Sequence, residues 1–275
     1  MEITVPTATL AGGAQMPLLG LGTWPLDDAQ AAEAVASAIA GGYRLIDTAE
    51  NYANEVGVGE GIRRSGLARE RVFVTTKFNR KWHSVEGVAQ ACHHALDRLG
   101  LDYLDLFLIH WPNPDQGRFI EAYEGLVALR EQGKVRAIGT SNFKAHHLQE
   151  LLDRGFVPEV NQIQLDPYTP RAAELALHRQ YGIHTESWRP FGEGGVIVSD
   201  PLVLELAEQL GRTPQQIALR WQVQQGFSTC PKSADPARQR SNLDVFSFEL
   251  SEADMAGLTQ DRPDPQQLDA DRFGH

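Results

Sequence analysis

Eight short apolar runs alternate with eight helix-length segments along this 275-residue chain, with no shift of composition. That alternation predicts an α/β fold with a parallel sheet and crossover helices. No G-x-G-x-x-G follows any of the runs, which disfavours a doubly wound open sheet. Three runs deliver polar or charged side chains at or just past their ends, as the strands of a closed barrel do at their active-site rim. The expected architecture is a single (β/α)₈ TIM barrel over residues 1–275, with an N-terminal β-hairpin and an extra C-terminal helix.

The hairpin is expected over Ile3–Leu18, where apolar and polar residues alternate about the turn pair Gly12-Gly13. The first four barrel strands are expected at Leu19–Leu21, Arg44–Asp47, Val72–Thr76 and Leu104–Ile109. The other four follow at Val135–Gly139, Glu159–Ile163, His184–Ser187 and Phe227–Cys230. Helices fall between them at Asp28–Ala40, Glu55–Ser65, Ser84–Leu99, Phe119–Gln132, Ala145–Arg154 and Arg171–Tyr181. Pro201–Val223 reads as two helices split near Thr213-Pro214, and Pro236–Asn242 as one more. Ser251 is the N-cap expected of the extra helix that starts in Leu250–Asp254. The remaining stretch, Gln260–His275, is rich in Pro, Asp and Gln and is expected to be irregular, packed across the barrel surface.

The formal net charge of −11 argues against nucleic acid or an anionic membrane as a bulk partner, so an anionic ligand needs a local cationic site. Cys92 and Cys230 make no disulfide framework and suit a reducing, cytoplasmic setting. The opening MEITVPTATL lacks the pattern of a signal peptide, and no apolar run reaches membrane-spanning length. The chain is expected to act as a monomer.

Asp47, Lys77 and His110 close three of the apolar runs, and Tyr52 follows in the loop TAENY. If those strands are neighbours, a carboxylate, an ammonium, a phenol and an imidazole meet at one rim. A cation beside a phenol favours its ionised form and makes it a better proton donor, and a carboxylate holds the cation. Each residue alone reads more readily as a strand-end salt bridge or a loop tyrosine, which are common; it is the set that points to catalysis. Cys92-His93-His94 and His146-His147 lie in helical patterns that send consecutive residues to different faces, so no metal site is expected there. Gly192, Gly194 and Gly195 form a flexible loop without phosphate-loop spacing.

GYRLIDTAENYANEVGVG at Gly42–Gly59, LDLFLIHWP at Leu104–Pro112 and PKSADPARQRSN at Pro231–Asn242 resemble signature segments of the aldo-keto reductases, closest in flavour to the short bacterial type that includes the 2,5-diketo-D-gluconate reductases. The likeness runs through almost the whole chain. It implies a barrel that binds NADP(H) without a Rossmann domain and reduces small aldehydes or ketones. By that resemblance Tyr52 is the general acid, Lys77 and Asp47 tune it, and neutral His110 orients the substrate oxygen. Ser141, Asn142 and Gln162 would hold the nicotinamide carboxamide, and Trp188 would stack on the ring. Lys232, Ser233 and Arg238 would grip the 2′-phosphate, helped by a helix N-terminus near Pro236, and Asn242 would contact adenine. Trp24, Phe78 and Trp111 are expected to wall an apolar substrate cleft; Trp82 reads equally well as rim packing.

The chain departs from the family pattern at Ser241, which replaces a glutamate beside the adenine contact. Arg189-Pro190-Phe191 places a cation near the cofactor, and Asp166 stands for a common histidine. Short segments after Trp111 and after Gly192 and a short tail, which shape the substrate site in such barrels, imply specificity that is loose or set by few contacts. Two rival readings are an NADP(H)-binding redox sensor with negligible turnover, and an isomerase using Lys77 as a Schiff base.

Overall fold

A computed structural model of the chain describes residues 5–260 and 268–275. The start of the expected hairpin at Ile3 and the tail residues 261–267 lie outside the described residues. The hairpin pairs β1 (Thr7–Thr9) with β2 (Gln15–Pro17) antiparallel. Its turn closes with the Gly13 N–H on the Leu10 carbonyl at 2.8 Å, and Gly13 sits at φ +89°, where a side chain would be strained. Leu10 and Met16 are buried with Leu45, Leu106 and Val160 in the lower barrel interior. The Gly12 N–H donates to the Glu159 carboxylate at 2.7 Å, just before a barrel strand begins. The hairpin therefore covers the end of the barrel where the strands start.

Eight parallel strands follow in chain order: β3 (Leu21–Gly22), β4 (Leu45–Asp47), β5 (Phe73–Phe78), β6 (Leu104–Ile109), β7 (Val135–Ser141), β8 (Val160–Gln164), β9 (His184–Trp188) and β10 (Ser228–Thr229). Parallel bridges Leu19–Thr229 and Gly22–Lys232 join the last strand to the first. At that seam Gly22 is required by space, because a Cβ there would lie 2.6 Å from the Cys230 carbonyl oxygen. The first strand is displaced from the expected Leu19–Leu21, with Leu19 left as an isolated bridge, and the last is shorter than expected.

The helices are α1 (Asp28–Gly41), α2 (Glu55–Ser65), α3 (Val85–Leu99), α4 (Phe119–Glu131), α5 (Ala145–Leu152), α6 (Ala172–Tyr181), α7 (Pro201–Leu210), α8 (Pro214–Gln224), α9 (Pro236–Leu243) and α10 (Glu252–Leu258). Thr213 and Ser251 cap α8 and α10 with their hydroxyls. The run EVGVGEG in α2 is a packing device. A Cβ at Gly57 would lie 2.0 Å from the Asp28 carbonyl, and one at Gly59 would lie 2.0 Å from that of Leu99. The main core fills the layer between sheet and helices with residues such as Val35, Ile46, Val74, Phe107 and Leu126. Six 3₁₀ turns among the described residues were not expected, and one of them, Glu50–Tyr52, carries the loop tyrosine. No helix among the described residues is long and apolar enough to cross a membrane.

Candidate active site

Asp47 ends β4, Lys77 lies in β5 and His110 directly follows β6. These strands pair in register, Asp47 beside Thr75 and Lys77 beside Leu108, so the three side chains reach the same rim. The Lys77 ammonium donates to both Asp47 oxygens at 2.8 and 2.9 Å and to the Thr48 carbonyl at 2.9 Å. The Tyr52 hydroxyl stands 3.5 Å from Lys77 Nζ, a long contact that a small shift would shorten. His110 meets Tyr52 edge to face at 5.9 Å between ring centroids. The four expected residues therefore come together.

Burial opposes the Lys77 charge, yet Asp47 and Tyr52 outweigh it and push the ammonium above its ordinary value. Burial, Lys77 and His275 hold the His110 imidazole well below its ordinary value, so it is neutral near pH 7. For Tyr52 the expectation of a net fall is corrected. Burial pushes the phenol up, Lys77 pulls it down, and Asp47 pushes it up again, leaving it above its ordinary value of 10.0. The phenol is accordingly a fully loaded proton donor, and Lys77 limits how reluctant it is.

Tyr52 and His110 line a cleft of about 590 Å³, with Asp47 at its floor and Lys77 beneath. Ser141, Asn142, Gln162, Trp188 and Lys232 also border it. Trp188 Nε1 donates to Asn142 Oδ1 at 2.9 Å, and Asn142 Nδ2 donates to the His110 carbonyl and Ser141 Oγ, each at 3.0 Å. Gln162 Nε2 donates to Asp47 Oδ2 at 2.8 Å. That leaves the Gln162 carbonyl oxygen as the atom suited to accept from a carboxamide. A flat aromatic wall, amide groups beside it and a cation along the cleft fit a nicotinamide dinucleotide.

The rest of the expected phosphate grip is more dispersed. Ser233 is buried with its hydroxyl on the Asp235 carbonyl, and Asn242 is buried beside the Tyr43 hydroxyl. Arg238 is exposed, 3.6 Å from Asp235. The Asp235 carboxylate caps α9 by accepting from the Ala237 and Arg238 N–H groups, so the helix N-terminus expected to face a phosphate already has an anion. Arg189 pairs with Glu193 and lies over Trp188 at 5.4 Å.

Trp24 and Trp111 border the cleft. Phe78 does not, and that expectation is corrected. Side chains alternate along a strand, so with Lys77 turned to the site Phe78 must turn to the helix layer, where it packs on Phe107 at 4.9 Å. Trp82 hydrogen-bonds Glu50 instead of facing the cleft.

Sequence reasoning counted the tail among the segments that shape the substrate site but named none of its residues. Leu268, Phe273 and His275 of the tail border the cleft, with Phe273 4.8 Å from Trp111 and His275 5.6 Å from His110. The tail is held by Lys144, which pairs with Asp269 and Asp271. His146 and His147 do not diverge as helical spacing suggested: both Nε2 atoms reach Asp271 Oδ1, at 2.9 and 3.0 Å. The Lys144 N–H donates to His147 Nδ1, so the ring proton sits on Nε2, and the Lys144 ammonium is 2.7 Å from Asp271. Those contacts suit a clasp for the tail better than a metal. Only the paired Asp269 and Asp271 signalled it in sequence.

A model of the aldo/keto reductase family matches residues 18–261. The chain is 45% identical over 258 residues to an aldo-keto reductase of Mycobacterium sp. (strain KMS), covering 92% of each. It is 45% identical over 248 residues to 2,5-diketo-D-gluconic acid reductase B of Corynebacterium sp. (strain SHS752001), covering 90% of each. A crystal structure of an Asp-to-Ala variant of Gox0644 in complex with NADPH superposes with a TM-score of 0.91 at 38% identity, over 98% of this chain and 97% of that one.

Proposed function

Because the chain belongs to the aldo/keto reductase family, an NADP-dependent oxidoreductase family, we propose that it reduces small aldehydes and ketones to alcohols with Tyr52 as general acid. Residues 1–275 act as one domain and as a monomer in this reading. The observation that carries it is the Tyr52 hydroxyl, set on a cleft beside a buried Lys77–Asp47 pair and a neutral His110.

NADPH supplies a hydride when bound. Trp188 offers it a stacking face, Gln162 and Asn142 hydrogen-bonding groups, and Lys232 a cation on the cleft, with Arg238 further along α9. His110, uncharged, directs the substrate oxygen toward Tyr52 without competing to protonate it. Tyr52 gives its proton to that oxygen as negative charge grows there, and Lys77 stabilises the phenolate left behind. Trp24, Trp111 and Phe273 exclude water around the carbonyl. The Schiff-base reading fares poorly, because Lys77 is held as an ammonium with Asp47 and Thr48 taking its N–H groups.

The test is NADPH oxidation by purified protein against a panel of aliphatic, aromatic and sugar-derived aldehydes and ketones. Carbonyl-dependent oxidation is expected with several members. Tight NADPH binding with no oxidation by any of them would replace this reading with the sensor.

A further inference from the structure

Gln162 and Glu186 are register partners on β8 and β9, so their side chains enter the barrel interior at one level. Glu186 is fully buried beneath the tetrad. Its Oε1 accepts from the Cys230 thiol at 3.2 Å, and its Oε2 has no hydrogen-bond partner among the described residues. The Gln162 amide, which donates to Asp47, lies against Glu186 as well.

One ammonium thus faces two buried carboxyl groups. Lys77 has three N–H groups, already shared among Asp47, the Thr48 carbonyl and, at longer range, the Tyr52 hydroxyl. None remains for Glu186, whose donors are the Cys230 thiol, a weak one, and the Gln162 amide, which already serves Asp47. An ionised Glu186 would be a poorly paired charge in a dry interior, a costly arrangement that taking up a proton relieves. Two carboxyls that share one cation resist ionising together, so the one with fewer donors keeps its proton to higher pH.

Resting on the carbonyl-reduction reading above, we propose that Glu186 is a positioning residue of the Tyr52 donor: it keeps a proton in the barrel interior, leaves the Lys77 charge undivided for Tyr52, and weakens the donor when it loses that proton. The ionisable groups that face it are Asp47 of β4, Lys77 of β5, Tyr52 of the Glu50–Tyr52 turn and Cys230 beyond β10. Burial and then Asp47 push the Glu186 carboxyl up to about 7, against the pull of Lys77. It is therefore protonated on the acid side of neutrality and ionised on the alkaline side. Ionised, it adds a second negative charge near Lys77, and proton release from Tyr52 then leaves more uncompensated charge behind.

Wild type, Glu186→Gln and Glu186→Asp are compared by single-turnover NADPH oxidation with 4-nitrobenzaldehyde across neutral pH. The wild-type rate is expected to fall about tenfold as the carboxyl ionises, since one pK unit of donor strength corresponds to about tenfold. Glu186→Gln, always neutral, loses that fall, and Glu186→Asp keeps it. A merely structural role would scale all rates and leave the shape of the profile alone. Superimposable profiles for wild type and Glu186→Gln overturn the proposal. Infrared titration without cofactor gives an independent readout: the wild-type-minus-Gln difference should show a protonated carboxyl band that disappears as pH rises. Absence of that band overturns the proposal whatever the kinetics. A titrating band in a protein that oxidises no NADPH supports the proton-holding role and overturns the carbonyl reading instead.

Discussion

Lys77→Met removes the charge that makes Tyr52 a usable acid and strands Asp47 as an unpaired buried carboxylate. Turnover should fall about 10²-fold or more, and stability by about 3–5 kcal/mol, with NADPH affinity within a few-fold. Steady-state kinetics beside urea melts check this; a variant with a third of wild-type kcat would remove Lys77 from the mechanism. At the other end of the cleft, Arg238→Ala should weaken NADPH about ten- to a hundredfold at modest salt and leave NADH nearly unchanged. Asp235→Asn should do the reverse, because Asp235 is the anion now beside Arg238. Fluorescence titration of both cofactors decides it, and equal weakening of the two by Arg238→Ala would place the 2′-phosphate elsewhere. The tetrad was legible as a set, because Asp47, Lys77 and His110 close separate apolar runs and Tyr52 follows the first of them. Phe78 misled because the reading followed its neighbourhood and ignored strand alternation, which turns it from the site that Lys77 faces. Glu186 was illegible, since a carboxylate within a strand announces neither its burial nor its neighbours.

Helices were legible to within a residue or two, because caps such as Ser251 and prolines such as Pro214 mark where backbone N–H groups change partners. The 3₁₀ turns were not; their few residues carry no period. The tail was legible as irregular and lying across the barrel surface, but its residues over the cleft were not, because their place depends on side chains more than a hundred residues away in sequence. Asp271→Asn removes one carboxylate from the contacts of Lys144, His146 and His147. Exposed pairs contribute about 0–1 kcal/mol each, so a network of them should shift carbonyl KM by about three- to tenfold while NADPH affinity holds. Kinetics of wild type and variant on one aldehyde test this, and an unchanged KM would show that the clasp does not seat Phe273 and His275.

Closure of the whole barrel follows from eight βα units, yet its seam was the least legible part. There β3 and β10 are two residues each, and contact rests on Gly22 and two bridges. Stability of the whole molecule should depend on pH through its buried histidines, His110 and four others. Burial first, with nearby cations for some, lowers His83, His147, His178 and His184 from 6.5 to about 4. Above pH 6.5 they are neutral folded or unfolded, and their contribution is fully present. Between 6.5 and about 4 the unfolded chain takes up protons that the folded chain refuses, so stability is lost progressively as pH falls. Thermal melts from neutral pH into that range should show the midpoint falling by roughly 5 °C or more, and a flat or rising midpoint would contradict it. The central claim is that one phenol at the rim of this barrel supplies the proton for carbonyl reduction. Its most direct test is single-turnover NADPH oxidation by Tyr52→Phe beside wild type, with NADPH affinity measured on the same samples. The expected result is a rate lowered about 10²–10⁴-fold with affinity unchanged within a few-fold. A variant that keeps a tenth or more of the wild-type rate would mean that Tyr52 is not the acid.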